Sequence, residues 1–125
     1  MREANWTPSE IERREQCELG LAVVGNLGTD RALKAWAQDT GRYVYVGRLH
    51  WFGPTRWGNP FTMPKPEQDG DRDRICDLHA AWIVGQPLMQ MVHTLRGKVL
   101  FCHCHPARCH GHTLAQLAND GVLHD

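Results

Sequence analysis

Residues 98–112 read KVLFCHCHPARCHGH and carry the strongest structural signal in the chain. Lys98–Cys102 is a short apolar run that predicts a buried strand. Pro106 lacks a backbone N–H group, so it must turn the chain away from that strand. A final helix is predicted from about His110 to Asn119, with an apolar stripe formed by Leu114, Leu117 and Ala118. The segment is therefore predicted as a strand, a turn and a helix.

The rest of the chain continues this alternation of strands and helices. Apolar and β-branched runs predict two further strands, at Leu19–Asn26 and Tyr43–Val46. Capping residues and helical spacing predict four further helices, at about Pro8–Glu18, at Arg31–Asp39, over about 75–83 and from Pro87 to just before Gly97. The apolar face of the third of these comprises Ile75, Leu78, His79, Trp82 and Ile83. Leu49–Gly70, rich in proline and glycine, is predicted as a long loop.

This alternating pattern predicts an α/β fold. We expect a single small domain with a short, mostly parallel sheet flanked by helices, in a Rossmann-like arrangement. Residues 1–20 are predicted as an N-terminal helical extension. Residues 21–125 are predicted as the α/β domain itself, which ends in the Cys/His segment. A chain of 125 residues suits one such domain.

The charge and hydropathy of the chain exclude some classes of protein. Its 14 basic and 14 acidic side chains cancel, whereas a bulk electrostatic nucleic-acid binder would carry a strong positive excess. Nucleic acid is therefore expected only through local contacts. No apolar run approaches the ~18 residues of a membrane span, and the N-terminus has no apolar signal-peptide core. We expect no membrane association and a cytoplasmic location, which would be the host cytoplasm if a phage encodes the chain.

The cysteines and histidines of residues 102–112 are the best candidates for a functional site. Five cysteines occur in the chain, and three of them, Cys102, Cys104 and Cys109, fall within eight positions. This clustering differs from a disulfide framework and indicates reduced thiols. A tetrahedral zinc site is the sharpest hypothesis, with the three thiolates and His110, or alternatively His112, as ligands. The spacing is tighter than that of the usual paired zinc knuckles.

Two other interpretations of the same segment stay open. In the first, the cluster is catalytic without a metal, with Cys109 as the nucleophile and His110 or His112 as the neighbouring base. The positive end of the final helix would favour a thiolate at Cys109. In the second, Cys102 and Cys104 are small buried residues at a strand end, and the histidines are surface or capping residues.

A second candidate site is the loop that contains Trp57-Gly58-Asn59-Pro60-Phe61. Gly58-Asn59-Pro60 predicts a tight turn that presents the two aromatic rings on either side. Arginines lie nearby, and aromatic faces beside arginines suit a base or nucleoside with its phosphate. The predicted ligand-binding residues are Arg48, Arg56, Trp57, Asn59 and Phe61. In the alternative, Trp57 and Phe61 are ordinary core residues that cover the sheet.

Four blocks of this sequence together resemble the DUF4326 family of small bacterial and phage proteins, over about Leu21–Asn119. The blocks are Val44–Arg48, Trp57–Phe61, Leu95–Lys98 and the C-x-C-x-P-x-x-C-H-G run of residues 102–111. The resemblance implies no established reaction, and it favours Cys102, Cys104, Cys109 and His110 as the working set. The family often has Trp where this chain has His103, and Asp where it has His112. If that Asp acts as an acid or base, His112 must substitute for it.

Together these features predict a nucleotide-scale pocket beside the Cys/His cluster. We expect the chain to bind a nucleotide, nucleoside or nucleic-acid base there, with zinc organising the cysteines. If the chain is an enzyme, base or glycosidic-bond chemistry is the expected form, because zinc with an open position can activate water. The alternative is a non-enzymatic interaction module, such as a phage-encoded inhibitor or adaptor, in which zinc staples a small fold.

Overall fold

A computed structural model describes residues 5–47, 49–50, 53–54 and 56–124 of the chain. Its helices and strands alternate as the sequence predicts. In chain order they are α1 (Pro8–Glu18), β1 (Val23–Asn26), α2 (Arg31–Asp39), β2 (Tyr43–Tyr45), β3 (Leu49–His50), β4 (Gly53–Pro54), α3 (Asp71–Ile83), a 3₁₀ helix (Pro87–Leu95), β5 (Val99–Cys102) and α4 (His110–His124).

The main sheet has three parallel strands in the order β1-β5-β2. A separate antiparallel hairpin, β3–β4, lies within the stretch that the sequence predicts as a loop. The prediction of a small α/β domain with a short, mostly parallel sheet is therefore confirmed. The Rossmann-like arrangement stays a prediction. None of the helices described here is long and apolar enough to cross a membrane.

Strand β5 occupies the centre of the sheet, and both of its faces are buried. Successive side chains of a strand point to opposite faces. Val99 and Phe101 accordingly pack in an apolar cluster with residues of α1 and α2, namely Cys17, Leu33 and Ala37. Leu100 and Cys102 pack on the other face with residues of α3, the 3₁₀ helix and α4, among them Ile83, Val92 and Leu114. This alternation places Cys102 on the face that α3 and α4 cover.

Helix α1 begins at the predicted capping box, and buried polar contacts attach it to α2. The Thr7 side chain accepts from the Glu10 N–H, and the Glu10 carboxylate accepts from the Thr7 N–H. Glu10 is only 2% exposed, and its second oxygen accepts from the Leu33 N–H at 2.8 Å. Arg13 forms an ion pair with Asp30 at 2.7 Å. The division of the chain at residue 20 stays a prediction.

Several predicted boundaries and faces differ from the structure. The first strand begins at Val23 and not at Leu19, because Leu19 caps the end of α1 and is 79% exposed. On α3, Leu78 is 40% exposed while Cys76 is buried, so the apolar face is rotated from the predicted one. The helix predicted from Pro87 is a 3₁₀ helix, and the last helix extends past Asn119 to His124.

Candidate functional site

The carboxyl ends of all three parallel strands lie at one edge of the sheet, where ligands bind in α/β proteins. A pocket of about 180 Å³ lies at this edge, beside the ends of β2 and β5. It is lined by Tyr45, Gly47, Asn59, Met63, Arg72, Ile75, Cys76, Cys102, His103, Cys104, Arg108, Cys109 and His110. Four of the five cysteines of the chain therefore line one pocket.

The three clustered cysteines bring their sulfur atoms together on one side of this pocket. The Sγ atoms of Cys102 and Cys109 lie 3.1 Å apart. The Cys104 side chain lines the same pocket beside both of them. Cys102 and Cys109 are only 2% and 4% exposed, whereas Cys104 is half-buried. All five cysteines are free thiols.

Local backbone geometry explains why these sulfurs converge. Cys102 is the last residue of β5, and the chain turns just beyond it. The Ala107 N–H then donates to the Cys104 carbonyl at 2.8 Å, which closes a turn. Cys109 precedes the first residue of α4, and its sulfur accepts from the Gly111 N–H as a capping side chain does.

The pKa values of the three clustered thiols shift in opposite directions. The pKa of the Cys104 thiol is lowered because Cys102 and Cys109 hydrogen bond to its sulfur, and because the Arg72 guanidinium donates to it as well. The pKa values of Cys102 and Cys109 are raised, since each is hydrogen-bonded to a neighbouring sulfur and is buried. Among the three sulfurs, these interactions therefore favour the thiolate form most at Cys104.

The predicted histidines are held by other partners. His110 is buried, and its Nε2 bonds to the Val46 carbonyl, which requires a proton on that nitrogen. His112 accepts from the Cys109 N–H at Nδ1, and burial lowers the pKa of its imidazole. The neutral ring must then carry its proton on Nε2, which donates to Nδ1 of His105 at 3.0 Å. Both nitrogens of His112 are thus engaged.

Behind His110 lies a second buried imidazole, His79 on α3, with ring centroids 5.1 Å apart. His79 is 1% exposed, and its Nδ1 atom has no hydrogen-bond partner in the described part of the chain. Burial lowers the pKa of His79 to about 4, so this ring is neutral at pH 7. It is a core residue that supports the wall formed by His110.

Two arginines form the outer rim of the pocket, and both have anionic partners. Arg108 donates to Asp73 at 3.0 Å and to Asp77 at 2.8 Å. Arg72 lies 3.8 Å from Glu67 and also bonds to Cys104. The positive charges of the rim are therefore largely compensated. Arg72 was not among the predicted site residues, although its spacing from Cys76 places both residues on one face of a helix.

The predicted aromatic loop contributes less to this pocket than the sequence suggests. Of the five predicted ligand-binding residues, Asn59 lines the pocket, and its side-chain oxygen accepts from the Phe61 N–H at 2.9 Å. Trp57 is 7% exposed and belongs to the apolar core. Phe61 packs edge-on against Trp82. Arg56 is exposed and does not line the pocket. Arg48 lies outside the described residues. Ligand roles for these residues stay predictions.

The aromatic wall of the pocket comes instead from Tyr45 and His103, which the sequence analysis did not select. Tyr45 is the last residue of β2, and its ring meets the His103 ring edge-on with centroids 6.1 Å apart. The Tyr45 side chain lies directly over Gly47, where an added Cβ would come within 2.0 Å of the hydroxyl oxygen. Only glycine at residue 47 leaves room for the Tyr45 ring.

Zinc stays a prediction. Within the residues that the structure describes, no group of three or more His, Cys, Asp or Glu side chains is arranged to hold a metal ion. Tetrahedral zinc with bonds of about 2.3 Å would hold two thiolate sulfurs roughly 3.8 Å apart. The distance of 3.1 Å between Cys102 and Cys109 is shorter and fits thiols in mutual contact. The predicted fourth ligand, His110, uses its Nε2 for Val46.

Comparison with known proteins agrees with the resemblance noted in the sequence. The model of the DUF4326 family, described as a domain of unknown function, matches residues 30–120. The chain is also 32% identical over 87 residues to uncharacterized protein R718 of Acanthamoeba polyphaga mimivirus, which covers 59% of this chain and 65% of that protein. No solved structure matches. Because the family model covers well over half of the 125 residues, the chain belongs to the DUF4326 family.

Proposed function

We propose that the chain binds a nucleobase or nucleoside in the pocket at the carboxyl edge of its sheet. The observation that carries the proposal is the makeup of this pocket. The Tyr45 and His103 rings form one wall, and Met63 and Ile75 add apolar surface. Asn59 and the arginines add polar groups. Flat heterocycles bind by stacking on aromatic side chains, with a few polar groups that fix their orientation.

The size of the pocket favours a small ligand. Pockets for drug-sized molecules span about 300–1,000 Å³, and this one holds about 180 Å³. A base fits within that space, and a sugar would extend over the rim. A whole nucleoside triphosphate is much too large to be enclosed.

The charges at the rim favour a neutral ligand over a phosphorylated one. Arg108 already has two carboxylate partners, and Arg72 is paired with Glu67. A phosphate would have to displace these partners. Among the ligand classes that the sequence predicts, bases and nucleosides are therefore preferred to nucleotides.

Calorimetric titration of the full chain with a panel of bases, nucleosides and their monophosphates tests the proposal. We expect a base or nucleoside to bind more tightly than its monophosphate. Tyr45→Leu should weaken that binding by about fivefold or more, since one stacking contact contributes about 1–3 kcal/mol.

Tyr43→Leu is the matched control, because Tyr43 lies on the same strand but stacks on Phe101 in the opposite core. It should leave affinity unchanged. Absence of heat with every base and nucleoside would reject the proposal. One zinc ion per chain together with that absence would favour the interaction-module alternative.

A further inference from the structure

Two of the cysteines that line the pocket are already in direct sulfur contact. The Sγ atoms of Cys102 and Cys109 lie 3.1 Å apart, whereas the sulfurs of a disulfide are about 2.05 Å apart. Both residues are free thiols, so a movement of about 1 Å separates this contact from a covalent bond. Binding of a heterocycle does not require such a pair, so the contact needs an explanation of its own.

The framework of the fold holds the two sulfurs in this position. Cys102 ends the central strand, and its carbonyl accepts from the Leu27 N–H at 2.8 Å. Cys109 directly precedes α4, and Asn119 near the other end of α4 exchanges two hydrogen bonds with the backbone of Ala22, just before β1. Because the strand and the helix are both tied to the sheet, the thiols stay neighbours and react with a high effective concentration.

We propose that Cys102 and Cys109 form a reversible disulfide, which makes this pair an oxidation site of the protein. Both thiols line the pocket, so a small oxidant such as hydrogen peroxide can reach them there. They are only 2% and 4% exposed, which protects them from larger reagents. The disulfide joins the end of β5 to the start of α4. This proposal is independent of the heterocycle proposed above, and its test uses no heterocycle.

The reaction balances in two steps with hydrogen peroxide as the oxidant. One sulfur of the pair loses its proton and attacks an oxygen of the peroxide, the O–O bond breaks, and the departing hydroxide takes up a proton to become water. That sulfur is thereby oxidised to a sulfenic acid, and the peroxide is reduced. The other sulfur, already in contact, attacks it and gives up its proton. The S–O bond breaks, a second water leaves, and the disulfide forms.

Mass spectrometry of the reduced full-length chain, treated with stoichiometric hydrogen peroxide, tests the proposal. We expect a decrease in mass of about 2 Da, the loss of two of the five free thiols, and full reversal by dithiothreitol. Cleavage after Lys98 and Arg108 separates Cys109 from the peptide that contains Cys102 and Cys104. Fragmentation of the cross-linked peptides between residues 102 and 104 then identifies the bonded sulfur, which we expect to be that of Cys102.

The variants Cys102→Ser and Cys109→Ser should each lower the yield of the reversible product by about tenfold or more, because the sulfur in contact is gone. Cys17→Ala is the matched control and should keep the full yield, since Cys17 is buried in the opposite core. Circular dichroism separates these effects from a loss of fold, and the peptide map of the unmodified chain needs no variant.

Three outcomes would overturn the proposal. The first is a chain whose thiols all stay free under peroxide, and the second is a disulfide that joins Cys104 to either member of the pair. The third is one zinc ion per chain that protects the thiols from oxidation.

Discussion

Gly25 shows how one missing side chain fixes the packing of the sheet. It lies on β1 opposite Phe101 of the central strand. A Cβ atom at residue 25 would come within 2.6 Å of the Phe101 ring. That ring is fully buried and stacks on Tyr43 with centroids 5.1 Å apart, so it has no space into which to move. The close approach of strand and ring therefore requires glycine.

Gly25→Ala is predicted to destabilise the fold by about 1–3 kcal/mol, the usual cost of overpacking a well-filled core. Urea denaturation followed by circular dichroism measures this loss in the free energy of unfolding. Gly28→Ala is the control, because a Cβ atom there meets its nearest neighbour at an ordinary 3.5 Å. Equal stability of the two variants would show that the Phe101 ring can yield.

The cysteines illustrate what single residues reveal in advance. Cys104 and Cys109 are close in sequence with Pro106 between them, so their proximity follows from a local turn. Local sequence does not reveal which aromatic ring lines the pocket. Tyr45 and Trp57 both precede a glycine-containing turn, and nothing local distinguishes the ring that lines the pocket from the ring that enters the core. Only the packing of β2 and the loop over the sheet decides between them.

The helices and strands differ in how far local signals determine them. The start of α1 follows from the Thr7 capping box, and both ends of the helix lie where the sequence predicts them. The buried face of α3 does not follow from a local signal, because the spacing of its apolar residues fits two adjacent faces. Packing against α4 selects the one with Cys76, and Leu78 stays in solvent. Arg72 reaches Cys104 only through this tertiary choice, which explains why the sequence analysis missed it.

The junction of α1 with α2 is predicted to make stability depend on pH. Burial alone would raise the pKa of Asp30, but hydrogen bonds from Arg13 and the Asn26 N–H outweigh burial and lower it. A carboxyl whose folded pKa is below its unfolded value of about 3.9 stabilises the fold at higher pH. That contribution is complete above about pH 5 and is lost as the pH falls through the folded pKa.

Asp30→Asn should therefore cost about 1–3 kcal/mol at pH 7, and the difference from the unmodified chain should shrink below about pH 4. Chemical denaturation at a series of pH values measures this difference in the free energy of unfolding. Glu18→Gln is the matched control on the same helix, because its ion pair with Arg14 is long and exposed and contributes little. A difference between Asp30→Asn and the unmodified chain that stays constant down to pH 2 would contradict this account.

For the molecule as a whole, the fold class followed from the alternation of strands and helices, but the strand order did not. The last strand, β5, inserts between β1 and β2, which are closer together in sequence. The one local indication of which strand becomes central is the uninterrupted apolar run Val99–Cys102, because a central strand covered on both faces has to be apolar throughout.

The role of residues 1–20 is also a question for the whole molecule, since the sequence predicts them as an extension and the family model matches only from residue 30. Deletion of these residues is expected to destabilise the remaining chain by at least about 3 kcal/mol. It would remove Cys17 from the core, leave the Leu33 N–H without Glu10, and leave Asp30 without Arg13. Trp36 would also lose its edge contact with Trp6.

Thermal unfolding of the shortened chain, compared with a full-length Glu12→Gln variant, checks this expectation. Glu12 is exposed on α1, so its substitution changes the helix without touching the contacts to α2 and β1. Glu10→Ala in the full chain provides a graded test, because it removes one buried carboxylate and leaves the helix in place. If the shortened chain and Glu10→Ala both unfold like the unmodified protein, α1 is an independent extension. If both lose stability, α1 is part of the domain, which then begins before residue 21.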